Sequence, residues 1–184
     1  MSEATAAVDA HPGGPRLTQL LPIDAIRLGE TAADWRAAVR LAGDALVASG
    51  ATTPDYTDQM VATVEQLGPY IVIAPGIALA HSRPSPAVLR GGISLVTLLE
   101  PVAFGHREND PVRLVIGLAA VDEEGHITAL STLAEFLSDE KRREGLIGAA
   151  AAGEVVQMVR AYEEGLAADT PSADATDRSK GETS

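Results

Sequence analysis

The sequence predicts an α/β domain, a mixed β-sheet flanked by helices. Three observations carry that expectation. Apolar residues recur at spacings of three and four on either side of the chain's middle, the mark of amphipathic helices. Between these segments stand short apolar runs bounded by glycine and proline, the mark of strands. Aromatic residues make up 3% of the chain against 46% hydrophobic residues in all, so the core is built from Ala, Val, Leu and Ile, which suits close packing of helices on a sheet.

In chain order, residues 1–16 read as a disordered tail of small residues that contains His11, for which no function is expected. Ile26, Arg27 and Leu28 form a short strand candidate, punctuated by Gly29. A helix follows to about residue 48, with Thr31 as N-cap, Asp34 in the first turn, and Trp35, Ala38, Val39, Ala42 and Leu46 on one face. A second helix runs over 54–67, with Met60, Val64 and Leu67 inward, and Gly68-Pro69 stops it. Residues 70–73 read as a buried strand, 74–76 as a turn and 77–80 as another short strand. Residues 92–99 alternate as a half-buried strand, and the apolar run 112–121 is the central strand candidate. Asp122, Glu123, Glu124 and Gly125 read as a turn. Helical spacing resumes at 127–137, with Leu130, Leu133, Ala134 and Leu137 together, and two helices follow over 139–151 and 153–164. One domain, 17–165, is expected before a second disordered tail over 166–184.

Composition excludes several kinds of activity. With no cysteine there is no disulfide, thiolate metal site or cysteine nucleophile. A net charge of −12 argues against nucleic-acid binding, which needs clustered Lys and Arg. No apolar run reaches the roughly 20 residues of a membrane helix, and no signal peptide is visible, so a cytoplasmic protein is expected. The Walker-type glycine loop, HExxH and GxSxG are all missing from the sequence.

Chemistry therefore falls to the four histidines. His81 follows a short apolar strand, where a scaffold presents side chains to a cleft, and its imidazole is a good nucleophile near neutral pH. Next to it, Ser82 offers a hydroxyl and a backbone N–H and Arg83 a guanidinium, all suited to phosphate oxygens. A strand-end histidine of purely structural role fits these residues as well. His126 opens the helix after the long strand, either as a capping residue or as a second donor beside His81 sharing one anion. His106 lies in a polar loop and is expected to be exposed. His81, His126 and the acidic residues 122–124 are metal-ligand types, but their spacing is not diagnostic and no metal or other cofactor is expected.

Residues 69–84, PYIVIAPGIALAHSRP, closely resemble the active-site segment of the enzyme IIA domains of the mannitol/fructose superfamily of the sugar phosphotransferase system, particularly the ascorbate-like branch. Phe104-Gly105, Glu108 to Val112, and Ile116 through His126 resemble the second half of the same domain, so the likeness spans about residues 20–164. The resemblance implies that His81 accepts a phosphoryl group from phosphorylated HPr and passes it to a cysteine of a separate enzyme IIB, for a sugar such as ascorbate taken up through the membrane permease IIC. It implies that His126 stabilises the phosphoryl group, and it leaves Ser82 and Arg83 as further oxygen contacts. Two positions depart from the pattern: Ala80 stands where proline commonly precedes the active histidine, and Glu65 is matched to an arginine of mannitol-type members. Two other readings compete, a phosphorylation-dependent regulatory protein of the nitrogen type and a binding module that is never phosphorylated.

Overall fold

A computed structural model describes residues 15–169. His11 and the tail residues 1–14 and 170–184 lie outside that range. The sheet has five strands among the described residues: β1 Ile26–Glu30, β2 Val72–Ala74, β3 Ile77–His81, β4 Gly92–Val102 and β5 Val112–Ala119. Their order is β1-β4-β5-β3-β2. The sheet is mixed, as predicted: β1 with β4 and β3 with β5 are parallel, while β4 with β5 and β2 with β3 are antiparallel. β5 is the central strand.

Helices cover both faces because the strands are apolar on both. α2 (Trp35–Ala48) and α3 (Pro54–Leu67) pack on one face, where Ala78, Ala80, Val96 and Val115 meet Val39, Leu46, Tyr56 and Met60. α1 (Leu17–Leu20), α4 (Glu123–Phe136), α5 (Glu140–Gly148) and α6 (Ala152–Asp169) cover the other, where Ile77, Leu79, Ile116 and Leu118 meet Leu133, Phe136, Leu146 and Val159. Alternation along β3 thus sends alanines to one layer and large aliphatics to the other. The small side means that α2 can approach closely. Ser94 Oγ donates to the Ala42 carbonyl at 2.7 Å, and a Cβ on Gly117 would collide with that same hydroxyl.

Several boundaries differ from expectation, each for a local reason. α2 starts at Trp35 with Asp34, not Thr31, as N-cap, because the Asp34 carboxylate accepts the Ala37 N–H at 2.8 Å. β1 runs to Glu30, with Gly29 at a φ of 70° where the register with β4 shifts. The segment read as a strand over 70–73 begins as a 3-10 turn at Pro69, and β2 is a short edge strand with Ile73 46% exposed. β4 extends to Val102 and is buried on both faces along most of its length, since it lies between β1 and β5. β5 ends at Ala119. The residues read as a turn over 122–125 form the N-cap and first turn of α4: Asp122 Oδ1 accepts the Gly125 N–H at 2.7 Å. The buried face of α4 is Ala129, Leu133 and Phe136, and Ala134 is exposed. Leu67, expected inward, is 66% exposed. α6 continues through Leu166 to Asp169.

Candidate functional site

β3 and β5 run parallel and end side by side, with His81 opposite Leu118. In open α/β sheets the crevice beyond the carboxyl ends of parallel strands is the usual place for ligands. From Leu118 the chain passes to Asp122, which caps α4, and His126 projects from that helix's first turn. This route brings the two histidines together. Their ring centroids are 5.2 Å apart, with the planes at 47°. The Tyr70 ring also stands edge-on to His81, at 6.1 Å. The imidazoles line a surface cleft of about 480 Å³, together with Thr63, Leu67, Tyr70, Ser82, Arg83 and Glu123.

His81 Nδ1 lies 3.0 Å from the Leu79 carbonyl oxygen. A carbonyl only accepts, so Nδ1 carries the proton and Nε2 keeps a free lone pair. Burial pushes the His81 pKa below its ordinary value; the Leu79 carbonyl opposes that, and the charge of His126 adds a smaller push downward. His81 is therefore held neutral, as a nucleophile requires. His126 Nδ1 is buried with no hydrogen-bond partner. The half-buried ring thus meets the cleft through Nε2.

Around this pair, Ser82 Oγ and Thr63 Oγ1 are 3.0 Å apart, and Thr63 Oγ1 also donates to the Gln59 carbonyl at 2.8 Å. With the Thr63 proton committed there, the Ser82 hydroxyl donates to Thr63. The Ser82 backbone N–H is already used: it donates to the Tyr56 hydroxyl at 3.0 Å. Of the two Ser82 groups singled out in the sequence, the hydroxyl is the one that can still serve a ligand, and it donates to one only by releasing Thr63. Arg83 is exposed at the cleft and makes no ion pair among the described residues.

The other candidates stand apart. Glu65 does not line the cleft and pairs with Arg36 of α2 at 2.9 Å; the α3 residues that reach the cleft are Thr63 and Leu67. His106 is half-buried, not exposed, because its Nδ1 accepts the Glu108 and Asn109 N–H groups at 3.3 and 3.1 Å. It organises the loop before β5, at the end of that strand remote from Leu118. Among the described residues no group of three or more His, Cys, Asp or Glu side chains is placed to hold a metal ion, and the acidic residues 122–124 serve α4 as its N-cap and first turn. Sequence reasoning missed Tyr56 and Thr63. The available signal was their spacing, seven apart on α3, with polar atoms on a face otherwise apolar at Met60 and Val64.

With this geometry established, comparison with known proteins is informative. Residues 19–162 match the family model described as phosphoenolpyruvate-dependent sugar phosphotransferase system, EIIA 2. An ascorbate-specific PTS system EIIA component of Salmonella choleraesuis (strain SC-B67) is 39% identical over 137 residues, 74% of this chain and 89% of the relative. The crystal structure of the mannitol IIA of Escherichia coli superposes with a TM-score of 0.66 at 33% identity, covering 75% of this chain and 97% of that one. The Escherichia coli mannitol IIA in complex with phosphorylated mannitol IIB gives a TM-score of 0.68 at 33% identity, covering 77% and 99%. The matched segment contains both strands and the helix that build the cleft, and on these grounds the chain belongs to the EIIA 2 family of the phosphoenolpyruvate-dependent sugar phosphotransferase system.

Proposed function

We propose that this protein carries a phosphoryl group on His81 Nε2, taking it from the phosphohistidine of HPr and giving it to a cysteine of enzyme IIB. The observation that carries the reading is the hydrogen bond from His81 Nδ1–H to the Leu79 carbonyl, which leaves the Nε2 lone pair available in an open cleft beside a second imidazole. In the first step that lone pair attacks phosphorus. The N–P bond of HPr breaks and its electron pair returns to the donor ring. In the second step a thiolate attacks the same phosphorus, an S–P bond forms, and the N–P bond to His81 breaks with its electrons returning to Nε2. No net redox change occurs in either step. None of the 184 residues is a cysteine, so the thiol lies outside them.

Charge on the three phosphoryl oxygens is the problem that the rest of the cleft addresses. His126 donates to one oxygen through Nε2. The Ser82 hydroxyl lies on the same wall and can donate by turning from Thr63, whose own proton stays on the Gln59 carbonyl, and Arg83, which has no acidic partner among the described residues, supplies positive charge at the rim. Depression of the His81 pKa by burial keeps the acceptor unprotonated at neutral pH. The ascorbate-specific relatives favour transport of such a sugar over a purely regulatory role. No helix among the described residues is long and apolar enough to cross a membrane; in this reading the membrane step belongs to the permease IIC.

The test is transfer in a purified system. Enzyme I, HPr and phosphoenolpyruvate are expected to load one phosphoryl group on the parent protein and none on His81→Ala, and added IIB to discharge it. Equal loading of parent and His81→Ala would defeat the assignment.

A further inference from the structure

We infer that Tyr56 is a positioning residue for phosphoryl transfer, setting the geometry of His81 relative to His126; the inference rests on the carrier reading above. The observation lies where the β3–β5 ladder ends. The strands pair in parallel register from Ile77 opposite Leu114 to His81 opposite Leu118. One rung further, a parallel ladder would carry the Ser82 N–H directly to the Leu118 carbonyl. Here a phenol oxygen is inserted into that rung. The Ser82 N–H donates to Tyr56 Oη at 3.0 Å, and Tyr56 donates to the Leu118 carbonyl at 2.8 Å. The Ser82 carbonyl, 3.1 Å away, is a second acceptor for the same proton.

Three consequences follow. First, β3 is parted from β5 immediately after the residue bearing the nucleophile, which opens the cleft at His81. Second, one hydroxyl holds both chain segments that matter: Ser82 is the residue after His81, and Leu118 begins the short run to Asp122 and the first turn of α4 that carries His126. Third, the Ser82 amide is withdrawn from the phosphoryl group, leaving its oxygens chiefly to imidazole and guanidinium donors. The pin is rigid, because Tyr56 is fully buried between α3 and the sheet. It also keeps its proton: burial pushes the phenol up to about 12, against a smaller downward pull from Ser82. Further along α3, Gln59 accepts from Ser85 Oγ at 2.7 Å and Thr63 meets Ser82 Oγ, so the segment after His81 is clasped along its length.

Tyr56→Phe removes the hydroxyl and little else. Single-turnover and steady-state phosphorylation by phospho-HPr is expected to show kcat reduced about 10- to 100-fold, the scale of a small misplacement of reacting groups, with KM within about twofold. Made in a His126→Ala background, the same substitution is expected to cost less than about threefold more, because the two act through one geometry. Parent-like kcat for folded Tyr56→Phe, or equal losses in both backgrounds, overturns the inference while leaving the carrier reading intact. A parent protein that takes no label overturns the carrier reading and this inference with it. Should Tyr56→Phe fail to fold, the parent supplies the test. Its Ser82 amide, followed by 15N NMR, is expected to stay protected from exchange and nearly unshifted on phosphorylation. A downfield move of that amide, reporting a bond to the phosphoryl group, overturns the inference.

Discussion

Replacing His126 by alanine separates phosphoryl stabilisation from mere proximity. The two imidazoles stand 5.2 Å apart by centroid, close enough for His126 Nε2 to reach an oxygen of a group bonded to His81 Nε2. A hydrogen bond to a charged group contributes about 1.5–3 kcal/mol, which at roughly 1.4 kcal/mol per decade corresponds to a rate loss of about 10- to 150-fold. Folding should change little, because the ring is only half-buried and its Nδ1 makes no hydrogen bond to lose. A second signature lies in pH. His81 reacts only when neutral, and its pKa is depressed first by burial and then by the charge of His126. Deleting His126 removes the second influence and admits water, so the acidic limb of the rate profile moves up toward 6.5. The variant therefore loses more at about pH 6 than at about pH 8. Quench-flow measurement of phosphoryl transfer from HPr at both pH values is the assay. Rates within twofold of the parent at both would refute the idea that His126 shares the phosphoryl charge.

Further predictions follow from the same structure. Because the folded pKa of His81 lies below its unfolded value, the unfolded chain binds more protons between the two, and stability falls as pH drops from 6.5 through the folded pKa. Urea titrations should therefore show His81→Asn losing less stability on acidification than the parent. Gly117→Ala would drive a methyl group into Ser94 Oγ and to 3.3 Å from the Ala42 carbonyl, where α2 sits closest to the sheet. A cost of about 1–3 kcal/mol in denaturant unfolding is expected, with phosphorylation of the folded fraction retained. Asp122→Ala removes the cap of α4 and should cost about 1 kcal/mol while loosening the turn that carries His126, readable as faster amide exchange at Gly125 and a slower transfer rate.

Much of this architecture is legible in the amino-acid sequence alone, and the reasons differ by element. The helical face of Ala38, Val39, Ala42 and Leu46 is visible because α2 lies on a sheet and its periodicity is undiluted. The strand ending in His81 is visible because Ile77 to Ala80 are apolar on both faces and stop at a polar residue. Burial of β4 on both faces is not visible from its alternation, because its polar members Ser94 and Thr97 are buried through bonds to Ala42 and Gly29 in distant elements. The acidic residues 122–124 read as a turn since a capped helix start and a solvated turn share one composition. Within the site, resemblance and spacing single out His81, His126, Ser82 and Arg83, and all four line one cleft. Tyr56 is hidden for a physical reason: its ring belongs to the core, and only its oxygen, inserted between two strands that meet only in the fold, belongs to the site.

The most direct test of the central claim is the atom that receives the phosphoryl group. After incubation with enzyme I, HPr and phosphoenolpyruvate, intact mass, peptide mapping and 1H–15N correlation of the imidazoles locate it. The account predicts a single acid-labile phosphoryl group on His81, bonded to Nε2, with Nδ1 still protonated toward the Leu79 carbonyl. A phosphoryl group on His126, on His81 Nδ1, or on neither histidine would contradict it.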